Sequence, residues 1–480
     1  MSVPLRGGTA LGDGREEAAS AAQAGRFALP VPAAVRAEAR GWLWLGIAAL
    51  VGSGVFALLI LLSRTPYIQT HVPWLDFFHT ALVVHVDLSV LVWFLAFAGV
   101  LWSLQGARGC RVCGWSALAV TGLGTVLLIV APFVGEPQPL MSNYVPVLRQ
   151  PVFEAGLVVV AAGFGLAVAR ALFLAPPVGV RISGAGALRF GLNTAVVAAA
   201  MALVAFVLSY LAIPAFAGGK EYYEILFWGG GHVLQFMYTQ LMLVVWLWLA
   251  DASGMRPLIG PRAVLFLFAW GLVSVFLTPL IYLAYDVGSL AHRQLFTLQM
   301  AFGGSLASLP LGLAVILGYA AAGPLPRVSR SERHALLWSV LLFGIGGVLG
   351  FMIQGSNVTV PAHYHGSVVG VTMAFMGMTY HLLPRLGYRP VAGRLAVTQA
   401  WTYGVGQLLH VAGLAWSGLE GVQRKTAGAA QGLDSPERIL AMGVMGLGGL
   451  LAVVGGLLFL VVVLRAMGTG PSRGIPAVDD

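Results

Sequence analysis

Residues 341–388 read LLFGIGGVLGFMIQGSNVTVPAHYHGSVVGVTMAFMGMTYHLLPRLGY. Two apolar runs, 335–355 and 360–384, account for nearly all of it, and each reaches the roughly 20 residues that a helix needs to cross a bilayer. The second run opens on Ala362-His363-Tyr364-His365 and closes on Tyr380-His381-Leu382-Leu383-Pro384. Ionisable side chains within a membrane span are costly and are kept where they serve a site. On a helix, residues i and i+2 point about 200° apart, so His363 and His365 face opposite sides. The two rings are badly placed to share one metal ion, but each can ligate a different group on its own flank.

The rest of the chain repeats the pattern. Of 480 residues, 58% are hydrophobic and only 9% charged, against about 25% charged in soluble domains. Mean hydropathy is +0.86. A soluble globular protein and a disordered chain are both excluded. The 63 glycines and 25 prolines suit membrane helices, where both are commoner than in soluble ones. Twelve runs are long enough to span: 41–63, 76–104, 114–134, 152–175, 190–214, 222–250, 263–287, 294–321, 335–355, 360–384, 396–417 and 438–465. The fold class expected is therefore all-α, a polytopic membrane bundle of twelve transmembrane helices. Residues 1–40 read as a polar cytoplasmic tail, 41–466 as the membrane domain and 467–480 as a second tail.

The net charge of +9 sits in short loops between apolar runs, which points to a lipid bilayer and not to nucleic acid. With the N-terminus inside, 20 of the 27 Lys and Arg residues fall in inner segments, so both termini are expected in the cytoplasm of a bacterial-type inner membrane. Cys110 and Cys113 form one C-x-x-C in the second loop, on the inner side. No second pair completes a zinc site, and in a reducing compartment these residues read as free spectator thiols.

Even-numbered helices run from outside to inside in this arrangement. His85 and His232 then lie about ten residues, or roughly 15 Å, into helices two and six, while His363 and His365 occupy the first turns of helix ten. All four share the outer half of the bilayer, although they are far apart in sequence. A lone buried histidine is more often a packing residue. Imidazoles gathered at one level are what axial haem ligation or a copper site needs. A solute transporter would explain twelve spans but not this shared depth.

At these residues the chain resembles subunit I of the haem-copper oxidase superfamily, which includes cytochrome c oxidases and nitric oxide reductases. The resemblance is strongest at 341–388, with its A-H-x-H and later Y-H-x-x-P. It extends to helix two (LVVHVDLSVLVWFLAF), to helix six (WGGGHVLQF) and to His410–Thr426 (HVAGLAW…QRKT). It implies two haems: a low-spin haem on His85 and His365, and a high-spin haem on His363 with its other face open to a gas. His79 is the alternative in helix two, but it stands six residues from His85, which is not a whole number of turns. His232 would ligate a neighbouring metal, and Arg424 with Lys425 would pair with haem propionates.

Three features depart from the family pattern. The adjacent histidines expected at the outer end of helix seven are absent. Their place falls within Tyr282–Asp286, with Tyr285 and Asp286 best situated and His292 the nearest imidazole. A second metal on His232, Asp286, Tyr285 and His292 would favour iron or a hard ion over copper, and the alternative is that no second metal binds. A tyrosine or glutamate four residues after the helix-six histidine is replaced by Phe236, with Tyr238 directed elsewhere. Mid-membrane acids for a proton wire are scarce: Asp87 and Glu224 are the best candidates, and both fall in the outer half.

The expected function is that of a respiratory, electron-transporting oxidoreductase that reduces a diatomic gas, with O2 reduction to water first and NO reduction second. A non-catalytic haem relay or gas sensor is the alternative from another class. The chain carries no C-x-x-C-H motif, so the expected electron donor is cytochrome c, a copper-domain subunit or a quinol.

Overall fold

The computed structural model describes residues 26–64, 78–106, 110–174, 181–391, 393–426 and 431–468. Most of the two expected tails, and the segment 65–77 between the first two helices, lie outside these residues.

Among the described residues, twelve helical rods match the twelve apolar runs. They are α1 (Arg36–Arg64), α2 (Phe78–Leu104), α3 (Arg111–Val130), α4 (Pro151–Phe173), α5 (Gly184–Ala212), α6 (Gly219–Ala252), α7 (Pro261–Ala284), α8 (Leu290–Ala320), α9 (Arg330–Phe351), α10 (Thr359–Arg385), α11 (Arg394–Leu419) and α12 (Pro436–Gly468). Eleven of them are apolar and long enough to cross a membrane; α11 is less apolar, because it carries Gln399, Gln407 and His410. The protein is an all-α, multi-pass membrane bundle. Helix α1 starts five residues before its apolar run, because its polar first turns find partners: Arg40 donates to the Leu386 carbonyl at 2.6 Å and Glu38 pairs with Arg170.

Two helices depart from regular winding at informative places. In α2 a π-helical turn, Asp87–Val92, begins two residues after His85, and α8 contains another at Gln299–Gly303. Such turns insert a residue and rotate the face that follows, and they concentrate at functional sites. Sequence neighbours pack as antiparallel pairs through small residues, as membrane helices do when no hydrophobic effect drives them together. Gly346 of α9 meets the backbone of Gly366 in α10, Gly124 of α3 meets Gly156 of α4, and Gly406 of α11 meets Gly448 of α12.

The most enclosed helices are α6 and α10, with 94% and 89% of their central windows buried, against 33% for α1, α4 and α12. Helices α6 and α10, which carry His232, His363 and His365, therefore form the centre of the bundle. Phe97 and Phe375 stack there at 4.2 Å, joining α2 to α10. One short antiparallel hairpin, β1 (Gln138–Leu140) and β2 (Val147–Arg149), links α3 to α4 with Pro139 opposite Leu148.

One expectation is corrected. Cys110 and Cys113 are not free thiols but a disulfide. Cys110 caps α3, its sulfur accepting the Cys113 amide, and the first helical turn brings the two Cα atoms to 5.3 Å, within bonding range.

Candidate functional site

Three of the four expected haem-ligand and metal-ligand histidines share a tautomer imposed by the backbone. His85 Nδ1 lies 3.1 Å from the Ser53 carbonyl of α1 and 2.9 Å from its hydroxyl. His363 Nδ1 lies 2.7 Å from the Gly346 carbonyl of α9. His232 Nδ1 lies 2.7 Å from the Trp228 carbonyl one turn earlier. A carbonyl only accepts, so each Nδ1 carries the proton and each Nε2 presents a lone pair. Among the described residues, Nε2 of His85 and of His363 has no hydrogen-bond partner. A histidine held through Nδ1–H with Nε2 open is the arrangement that metal ligation requires.

The opposed facing of the helix-ten pair is visible directly. His363 turns to α9, where Gly350 leaves room for its ring, while His365 packs edge-on against His410 of α11 at 4.7 Å. His410 is in turn anchored through Nδ1 to the Met445 carbonyl of α12 at 2.9 Å. His79 uses its Nε2 on the Lys425 carbonyl at 3.2 Å.

The cationic pair lies in one polar cluster beside the hairpin. Arg424 and Lys425 both donate to Asn143 Oδ1, at 3.1 and 3.3 Å, and Lys425 reaches the Met141 carbonyl at 2.6 Å. Asn143 donates through its backbone and side-chain amides to the two Glu224 oxygens, at 3.1 and 3.0 Å. Burial first, then Arg424 and Lys220, bring the Lys425 ammonium down to about 8, against an upward pull from Glu224. The next residue along, Tyr144, sits at φ 65° and places its hydroxyl 2.7 Å from His232 Nε2. Burial, and to a lesser degree Glu224, pushes its phenol upward, so Tyr144 is the donor and His232 the acceptor.

The expected second-metal residues do not converge. Tyr285 and Asp286 are exposed at the end of α7. Arg293 lies over the Trp228 ring at 5.8 Å and makes no ion pair with Asp286. His292 is buried edge-on against Tyr282 and Phe296, both at 4.9 Å, and neither ring nitrogen has a partner among the described residues. No group of three or more His, Cys, Asp or Glu side chains able to hold a metal occurs among those residues. The donor set offers open imidazole nitrogens of the kind a haem takes, and among the described residues it does not bring together the roughly three protein ligands that a second metal needs. Of the two intramembrane acids, Glu224 is bound to Asn143, and Asp87 is fully buried with both oxygens unpaired among the described residues. Tyr238 faces the bundle interior, edge-on to Phe94 at 4.7 Å.

Several site residues escape a sequence reading. Ser53, a lone hydroxyl near the middle of an apolar helix, is a usable signal. So is the Gly229-Gly230-Gly231 run. A Cβ at these three positions would strike Tyr282, Phe206 and Tyr144 respectively, so the glycines let three aromatic residues close on α6 just before His232. Tyr144 and Asn143 sit in a short irregular loop that has no periodicity to read.

A central pair of enclosed helices carrying backbone-anchored imidazoles defines a multi-pass membrane protein whose histidines are held in the tautomer that metal ligation uses. Comparison with known proteins agrees: the family described as Cytochrome C and Quinol oxidase polypeptide I matches residues 39–458, and the chain belongs to that family, within the haem-copper oxidase subunit I superfamily. An uncharacterized protein of Rickettsia prowazekii (strain Madrid E) is 28% identical, over 89% of this chain and 96% of its own length. One from Aquifex aeolicus (strain VF5) is 29% identical, over 74% of this chain and 86% of its own. A solved heme-copper terminal oxidase dimer has the same fold, with a TM-score of 0.74 at 16% identity, covering 92% of this chain and 86% of that one.

Proposed function

We propose that the chain is a respiratory dihaem subunit that passes electrons from a low-spin haem on His85 and His365 to a high-spin haem on His363, where a diatomic gas is reduced, O2 to water in the first instance. The observation that carries this reading is the opposed pair on α10, with His363 anchored to Gly346 and His365 turned to α11. Haem iron supplies one-electron transfer and, when five-coordinate, an open position for a gas. The chain does the rest. Ser53 and Gly346 hold two imidazoles in the ligating tautomer, the enclosed helices α6 and α10 keep His232 and His363 inside the bundle, and Arg424 with Lys425 offer cations to propionates. Electrons come from cytochrome c, a copper-domain subunit or a quinol in the same membrane. NO is the alternative gas.

A second reading, a haem relay or gas sensor without turnover, is favoured by one observation: the second-metal donors do not converge. Spectra separate the two. His85→Ala or His365→Ala is expected to remove a sharp reduced α band while CO binding survives in part, and His363→Ala to abolish CO binding. Loss of the band in His79→Ala but not in His85→Ala would reverse the helix-two assignment. A protein whose haems are all six-coordinate and blind to CO would leave only the relay.

A further inference from the structure

His232 occupies the position where a second metal would need its first ligand, yet both of its ring nitrogens are committed within the chain. Nδ1–H is held by Trp228, and the Nε2 lone pair accepts the Tyr144 hydroxyl at 2.7 Å. His85 and His363 share the first feature and lack the second. We propose that in this chain the second metal is replaced by a His232–Tyr144 clasp, which fastens the β1–β2 hairpin against the first half of α6, and that the folded protein takes up no copper or non-haem iron there.

The surroundings of the pair argue for a built feature. The Tyr144 ring lies 4.6 Å from the His232 ring and edge-on to Trp228 at 5.8 Å. It reaches that place only because residue 231 is glycine. Freeing Nε2 for a metal would require withdrawing this ring, and its neighbour Asn143 is pinned by Glu224, Arg424 and Lys425. On the hairpin itself, Ser142 donates to the Val145 carbonyl at 2.6 Å, and Val145, Val147 and Leu148 are buried. Withdrawal would therefore break a connected set of contacts, not one bond. The ligands gained in return would be few: His292 is a single donor wedged between two rings, and Tyr285 and Asp286 lie exposed. One or two ligands do not hold a transition metal against water and competing chelators.

The experiment is run on the full-length protein, purified from cells supplied with copper and iron. Copper, total iron and haem are counted per chain, and hydrogen exchange is followed across residues 138–149 for the wild type, Tyr144→Phe, His232→Ala and the double variant. Iron equal to haem, copper well below one per chain, and identical non-haem metal counts in wild type and His232→Ala are expected. Tyr144→Phe keeps the ring and removes only the hydroxyl, so it should raise hairpin exchange about five- to tenfold, the loss expected for one buried hydrogen bond. His232→Ala should do at least as much, with little added in the double variant. A stoichiometric copper or non-haem iron in the wild type that disappears in His232→Ala would overturn the proposal, as would hairpin exchange unchanged in Tyr144→Phe. Should His232→Ala fail to fold, Tyr144→Phe and the wild-type metal count decide alone. The haem count is read separately, so absence of haem would defeat the proposed function and leave the clasp standing or falling on its own measurements.

Discussion

Lys425 adopts a left-handed backbone, φ 60°, and carries its ammonium into a half-buried position between the Met141 carbonyl and Asn143. Its proton is held to about 8 in the folded chain, against 10.5 ordinarily, chiefly because burial disfavours the charged form. Between those values the unfolded chain binds more protons than the folded one, so stability rises with pH across that window. Thermal unfolding followed from neutral to alkaline pH should show this rise, and Lys425→Met should flatten it. A carboxylate seated against the ammonium, as a haem propionate would be, favours the charged form and moves the window upward. A slope that is the same in wild type and Lys425→Met would remove Lys425 as its source.

Four helices meet at one buried ion pair at the end of the bundle opposite the hairpin. Glu38 of α1 accepts two bonds from Arg170 of α4, one of them at 2.9 Å, and a third from Ser103 of α2 at 2.9 Å. Gly114 of α3 completes the enclosure, since a Cβ there would strike the Glu38 carboxylate. The pair borders a cavity of about 20 Å³ lined also by Trp42 and Trp102. Both side chains are largely buried, at 10% and 14% exposure, so solvent screens them little. Removing one partner strands a charge in apolar surroundings and should cost about 3–5 kcal/mol, whereas replacing both by apolar residues of similar volume should restore most of it. Unfolding in denaturant of Glu38→Ala, Arg170→Ala and the Glu38→Leu/Arg170→Met double variant measures this. Equal losses in the single and double variants would mean that packing, not charge, holds the four helices.

An even number of spans would place Arg36, where α1 begins, and Gly468, where α12 ends, on one face of the membrane. The bias of cationic residues predicts that this face is cytoplasmic. A reporter that matures only in the cytoplasm, fused after Asp480, should be active, and a periplasm-dependent reporter at the same position silent. The reverse pattern would invert the whole bundle and put the Arg424–Lys425 cluster inside. The fold itself does not depend on that outcome, because helix pairing through Gly124, Gly346 and Gly406 is internal to the bundle.

The number of spans, their order and the opposed facing of His363 and His365 were legible in the sequence, because helix length and helical period are local rules that each segment obeys alone. The same rules favoured His85 over His79 as the helix-two ligand, and in the structure the two rings have different partners, Ser53 and the Lys425 carbonyl. They carried no information about what stands opposite a side chain. Tyr144 reaches His232 across 88 residues, Asn143 reaches Glu224 across 81 and Arg424 across 281, and Asp286 faces outward although its place in the chain suited a ligand. Those relations were decided by the tertiary structure alone, because they depend on how rods with unpatterned apolar surfaces rotate and approach one another. Here that approach is set by where glycine permits contact and by which buried polar atoms must be paired.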